Sequence, residues 1–302
     1  MIRPTRRAVL AALLTTPAAA QPAPKRVVAS FSILADIVQR IGERRVSVRV
    51  LAGPDQDLHG FEPRPSDIQS VAQADVMVIN GLGLEGWAER IAAAAGFKGT
   101  AVVASRGVVA LKSGHKHGPG AAAADSHGAF DPHAWQDVAN AKRYAANIRD
   151  GLAAADPGNA AAYAAAANRY FAELDTLDAE IRTLFDAIPR QRRRAVTSHE
   201  AFAYFADAYG VDMLAIAGTW RDAEPSAREL AALTAQVKRQ QIRALFLESA
   251  GNPAALRALA FETGITIGGN LYPDALSPPG GPADTYLAMM RHNARTIAAA
   301  LR

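Results

Sequence analysis

The sequence predicts an α/β protein of two lobes, each a (β/α) repeat around a parallel sheet, joined by one long helix. Three observations lead there. Short β-branched runs alternate with Ala-rich stretches of helical character along the whole chain, the pattern of a βα repeat. The runs fall into two sets of four. Between the sets lies a single stretch with helical periodicity and no internal breaker.

The first set comprises Val27–Ser30, Val46–Leu51, Val76–Asn80 and Ala101–Ala104. The second comprises Ala195–Ser198, Met213–Ile216, Ala244–Leu247 and Thr266–Gly268. From Gly158 to Ile188, Tyr163, Ala166, Ala167, Tyr170, Leu174, Leu177, Ile181, Leu184 and Phe185 recur at helical spacing. Pro157 precedes this stretch and Pro189 follows it, so its ends are marked. At 1.5 Å per residue it spans roughly 46 Å, more than a crossover within one sheet needs. The organisation that follows is a leader at 1–20, an N-terminal lobe at 21–157, a linking helix at 158–189 and a C-terminal lobe at 190–302. Residues 114–129 (GHKHGPGAAAADSHGA) interrupt the first lobe without apolar periodicity and read as a surface loop.

Arg3, Arg6 and Arg7, the apolar run Ala8–Leu14 and the small residues Ala18–Ala20 have the three parts of a cleaved signal peptide in order. Thr5–Leu10 also fits a twin-arginine export signal. The apolar run is shorter than the roughly 20 residues a bilayer span requires, so an exported, soluble, periplasmic chain is expected. The formal charge is +4, with 33 Lys and Arg against 29 Asp and Glu. Three of the arginines lie in the leader, which leaves 30 against 29 and no electrostatic case for nucleic acid. Arg190–Arg194 reads as a solvated basic turn. Cysteine is absent, which excludes a disulfide, a thiolate metal site and a lipid on an N-terminal Cys of this sequence.

Any metal centre must therefore use nitrogen and oxygen. Of seven histidines, His59 follows the Val46–Leu51 run, His199 follows Ala195–Ser198, and His133 sits in Asp131-Pro132-His133 ahead of a helical stretch. Asp274 follows the last strand, in Tyr272-Pro273-Asp274. Ligands of open α/β sheets gather beyond the carboxyl ends of the strands, and two of these four groups come from each half of the chain. A site in the cleft between the lobes is expected. Three imidazoles and one carboxylate complete a four-coordinate zinc shell. That shell keeps a net charge of +1, so further acceptors should hold the outer ring nitrogens, with Glu200, Glu224, Glu248 and Asp131 as candidates. His292 is expected to have no part in the site.

The same residues carry a family resemblance. Gly53–Asp67 (GPDQDLHGFEPRPSD), Asn80–Glu85, Asp131–Trp135, Thr197–Phe202 with Tyr204-Phe205, Glu224-Pro225-Ser226 and Leu271–Asp274 resemble, in order, the cluster A-I solute-binding proteins of zinc and manganese ABC transporters, the zinc-uptake periplasmic binding family. The resemblance implies two (β/α) lobes on one rigid helix with the metal buried between them, and a membrane permease as partner. It implies His59 and His133 as N-lobe ligands, His199 as the third and Asp274 as the last. A His at the third position implies Zn²⁺ over the alternative, Mn²⁺, for which members tend to carry Glu; imidazole suits zinc and carboxylate the harder manganese. The short loop with His115, His117 and His127 resembles the His-rich insertion of the zinc branch. It is a candidate for recruiting zinc or accepting it from a periplasmic metallochaperone. The chain is expected to act as a monomer.

Rival readings are a zinc hydrolase, a surface adhesin and a carrier of chelated metal. His199-Glu200 opens like the zinc-protease motif H-E-x-x-H, but position 203 is Ala, so the second helical ligand is missing and no enzyme is expected.

Overall fold

The structure, a computed structural model, describes residues 23–113, 128–215, 227–249 and 253–302. All eight expected strands form. The first sheet holds β1 (Lys25–Phe31), β2 (Val46–Ala52), β3 (Val76–Ile79) and β4 (Thr100–Val103) in the order β2-β1-β3-β4, and every pairing is parallel. The second holds β5 (Arg194–Thr197), β6 (Asp212–Ala215), β7 (Ala244–Glu248) and β8 (Ile267–Leu271) in the equivalent order β6-β5-β7-β8, again all parallel. In both sheets the strand order reverses beside the first strand, which opens a crevice at the carboxyl ends of β1 and β3 and of β5 and β7.

Helices cover the sheets because alternate strand residues face opposite sides. Val27, Ala29 and Phe31 of β1 join the principal core, while Val28 joins a second core with Met77, Val71, Trp87 and Ile91. The principal core also contains buried residues of α1 (Ser32–Gly42), α4 (Val138–Ala155), α6 (Ala203–Tyr209) and α9 (Tyr286–Leu301), so it runs through both lobes.

The linking helix is α5 (Ala160–Asp186), 27 residues long. Its buried residues are Tyr163, Ala166, Ala167, Tyr170, Leu174, Leu177, Ile181 and Phe185, and Leu184 is half-buried. The helix begins two residues later than the periodicity suggests. Pro157–Asn159 form a 3-10 turn, and the Asp156 carboxylate accepts from Asn159 Nδ2 and Tyr163 Oη, each at 2.8 Å. At the far end Phe185 packs on Phe205 and Tyr209 of α6.

Two expectations need correction in detail. Strand β8 runs further than Thr266–Gly268, through a Gly-Gly-Asn stretch of low strand propensity. A Cβ on Gly268 would lie 2.5 Å from the Phe246 ring and 2.7 Å from Ala300 Cβ, and Gly269 has φ of 142°. Glycine here lets α9 approach the sheet, and the register shifts opposite Leu245 and Phe246. The basic run is also more structural than a solvated turn: Arg193 is buried and donates to the carbonyls of Ile188 and Tyr209. Among the described residues no helix is long and apolar enough to cross a membrane.

The close approach at Gly268 generates a test. Gly268→Val should destabilise the fold by about 1–3 kcal/mol through overpacking. A urea melt with an unchanged midpoint would contradict the role given to this glycine.

Candidate metal centre

The structure brings His59, His133, His199 and Asp274 together, with one ligating atom from each lying within 4.8 Å of every other. His133, His199 and Asp274 are buried, and the His59 side chain is 10% exposed. The Asp274 carboxylate meets all three rings: Oδ2 lies 3.4 Å from His59 Nε2 and 3.2 Å from His199 Nε2, and Oδ1 lies 3.4 Å from His133 Nε2. His59 Nε2 and His133 Nε2 are 3.4 Å apart. Tetrahedral ligands about 2.05 Å from a zinc ion are separated by about 3.3 Å, so these four contacts have the edge length of such a shell.

Local structure fixes each ligand. Beyond β2, the Asp57 carboxylate accepts the His59 backbone N–H at 2.9 Å, which turns the chain so that His59 faces inward. Asp131 Oδ1 accepts both the backbone N–H of His133, at 2.9 Å, and its ring Nδ1–H, at 2.7 Å. At the end of β7, Glu248 Oε1 accepts the backbone N–H groups of Ser198 and His199, while Oε2 accepts from His199 Nδ1 at 2.5 Å. A carboxylate on Nδ1 places the proton there and leaves the Nε2 lone pair facing the centre. Asp131 and Glu248 each hold a ring nitrogen that points away from the cluster. Glu200 is half-buried beside His199, and the Nδ1 atoms of His133 and His199 are held by Asp131 and Glu248. Glu224 and the loop residues His115, His117 and His127 lie outside the described residues, as does the leader. His292 stands apart, against Asn270 and Tyr272.

Other residues that hold the centre had no assigned role in the sequence. Glu85 is half-buried and accepts from Ser30 Oγ and from the N–H groups of Asn80 and Gly81, so it gathers the ends of β1 and β3. Burial raises its pKa, against the lowering effect of those hydrogen bonds. Asn80 takes the Tyr144 hydroxyl proton on Oδ1 and donates from Nδ2 to the Pro132 carbonyl, just before His133. Tyr204, in the second lobe, donates to the Asp131 carbonyl. The one sequence signal was the strand-end position of Asn80-Gly81-Leu82-Gly83-Leu84-Glu85; the long-range partners left none.

Electrostatics follow from three carboxylates, Asp131, Glu248 and Asp274, and three imidazole rings. Burial lowers the pKa of His133, but the Asp131 charge and hydrogen bonds to Asp131 and Asp274 outweigh it and raise the value to about 9. His199 is likewise raised well above the usual imidazole value, its burial overcome by Glu248 and Asp274. Burial wins at His59, whose pKa is lowered despite Asp274. Asp274 is held well below the carboxylate range, its burial overcome by His199 and by hydrogen bonds from all three rings.

Comparison with known proteins gives one result in sequence and structure. Residues 27–300 match the family model of the periplasmic zinc-uptake complex component A. The manganese-binding lipoprotein MntA of Halalkalibacterium halodurans is 34% identical over 276 residues, covering 91% of this chain and 88% of its own. The iron ABC transporter substrate-binding lipoprotein MtsA of Streptococcus pyogenes serotype M1 is 31% identical over 91% of this chain and 88% of its own. The periplasmic zinc binding protein TroA from Treponema pallidum superposes with a TM-score of 0.81 at 29% identity, over 92% of this chain and 99% of its own. The manganese-bound periplasmic metal binding protein from Candidatus Liberibacter asiaticus gives 0.80 at 29% identity, over 92% and 100%. The chain belongs to this family of metal-binding substrate-binding proteins of ABC transporters, which are not enzymes.

The pKa directions set the stability of the metal-free protein against pH. A raised His pKa contributes stability that is complete below the ordinary value of about 6.5 and is lost as pH rises through about 9. The depressed Asp274 contributes stability present above the ordinary carboxylate value and lost on acidification. Melting temperature should therefore fall by a few degrees from about pH 6.5 towards pH 9, with a shallower fall in His133→Gln. A melting temperature that rises from pH 6.5 to 9 would contradict this charge arrangement.

Proposed function

We propose that this member of the zinc-uptake component A family captures Zn²⁺ through His59, His133, His199 and Asp274 and delivers it to the membrane permease of an ABC transporter. The observation that carries the reading is the convergence of three Nε2 atoms and one carboxylate at the spacing of a tetrahedral shell, in a buried cleft between two sheets. Imidazole-rich tetrahedral sites suit zinc, whereas manganese suits more oxygen and a larger coordination number. Neutral imidazoles orient the ion without adding charge; Asp274 supplies negative charge beside it, and Asp131 and Glu248 supply it on the far side of the His133 and His199 rings. The periplasm is the compartment this reading places it in, with residues 1–20 as the leader.

Manganese is the second reading. What favours it is the naming of the curated relatives, which are manganese and iron proteins at 30–34% identity. Donor chemistry favours zinc because His199 stands where a carboxylate would better suit manganese. The His-containing segment 114–129 has an accessory role in this account, recruiting zinc or receiving it from a metallochaperone, since the four ligands already complete a shell without it.

A chelator-competition titration of stripped mature protein with Zn²⁺ and Mn²⁺ tests both readings. One-to-one zinc binding should exceed manganese binding, weaken by more than about 100-fold in His199→Ala, beyond the 10–100-fold usual for outer-sphere partners, and survive removal of residues 114–127. Tighter manganese binding would overturn the zinc assignment. Zinc binding that depends on 114–127 and not on His199 would overturn the site.

A further inference from the structure

Asp274 faces all three rings, and the peptide that leads into it is held from the opposite lobe. The chain enters Asp274 from Pro273, whose carbonyl accepts two side-chain hydrogen bonds from the other lobe: Trp135 Nε1 at 2.8 Å and Gln136 Nε2 at 2.7 Å. Both donors sit in the 3-10 turn Ala134–Gln136 that directly follows His133, and both are fully buried. Proline fixes its own φ near −65°, and the Pro273–Asp274 peptide is planar. Holding the carbonyl therefore fixes ψ of Pro273 and the direction in which the chain delivers the Asp274 Cα. Around it, the Leu276 N–H donates to Ser32 Oγ, and the Tyr286 hydroxyl donates to the Trp135 carbonyl. His133 meets the same device, since its preceding Pro132 carbonyl is held by Asn80.

Gln136 has a second telling feature. Its Oε1 is buried with no hydrogen-bond partner among the described residues. A buried, unsatisfied acceptor is destabilising, and an apolar side chain of similar size would avoid it. Pro273 would keep Trp135 as a donor without Gln136. Stability alone therefore does not account for an amide at this position.

We propose that Gln136 is a positioning residue for metal capture: through the Pro273 carbonyl it locks Asp274 to the turn that carries His133, so that the two ligands from opposite lobes move as one unit. The inference rests on the reading of the four side chains as the cargo site and adds a residue whose backbone N–H bonds the His133 carbonyl while its side-chain amide reaches across to Pro273. Its loss loosens the carboxylate without loosening the fold.

Gln136→Leu in the mature chain tests it, with Gln136→Met as a second, more adaptable replacement. The readouts are the melting temperature of the metal-free protein, the rate of Zn²⁺ release to excess chelator and the visible absorption of the Co²⁺-loaded protein. Metal-free melting should be unchanged or raised, while Zn²⁺ release becomes about 10–100-fold faster and the Co²⁺ bands change in position or intensity. Wild-type release with wild-type Co²⁺ bands would overturn the proposal. So would equal destabilisation of the metal-free and loaded forms with unaltered Co²⁺ bands, since that marks a purely structural role. Failure of the underlying site is distinguishable, because His199→Ala would then leave the Co²⁺ bands as they are in the unaltered protein.

Discussion

The buried carboxylate of Asp274 facing three imidazoles is the constraint on which the rest of this molecule depends. An isolated charge taken from water into a protein interior is strongly unfavourable, so each charge in the cleft requires a partner. Asp274 finds three ring nitrogens, and two of those rings find carboxylates of their own in Asp131 and Glu248. On the proposed reading, cargo and protons compete for the same ring nitrogens, which couples affinity to pH.

The architecture serves that pairing of charges. Parallel sheets place their strand ends on one side, and two sheets of equivalent strand order present those ends to each other across a cleft. β2 leads to His59, β5 to His199, β7 ends in Glu248 and β8 leads to Asp274. The core that carries these strands is continuous through both lobes along α5, whose apolar face meets α6 at one end and the β1–α1 region through the shared core. Hydrogen bonds then cross the cleft itself, from Tyr204 to Asp131 and from Trp135 and Gln136 to Pro273. Opening the cleft by a hinge would break these buried bonds together.

Much of this was legible in the residues. β-branched runs bounded by turn residues mark all eight strands, and an unbroken 3.6 period marks α5. The four clustered groups were legible because histidine is sparse in this chain and three of the four follow a strand. Asp131 was readable two residues from His133, and Glu248 as a carboxylate ending a strand. Less was legible where a side chain's role depends on a partner far along the chain. Gln136 and Pro273 are 137 positions apart, and Glu85 reaches Ser30 across 55, with no periodicity linking either pair. The end of β8 was also hidden, since Gly268 and Gly269 lower strand propensity for the sake of packing against α9.

X-ray absorption at the zinc edge of the stoichiometrically loaded protein counts the neighbours of the bound ion. Four nitrogen or oxygen neighbours at about 2.0–2.1 Å are expected, with outer-shell scattering from three imidazole rings that falls to two in His199→Ala. A first shell of five or six oxygen-like neighbours, or an imidazole count indifferent to His199, would contradict that shell.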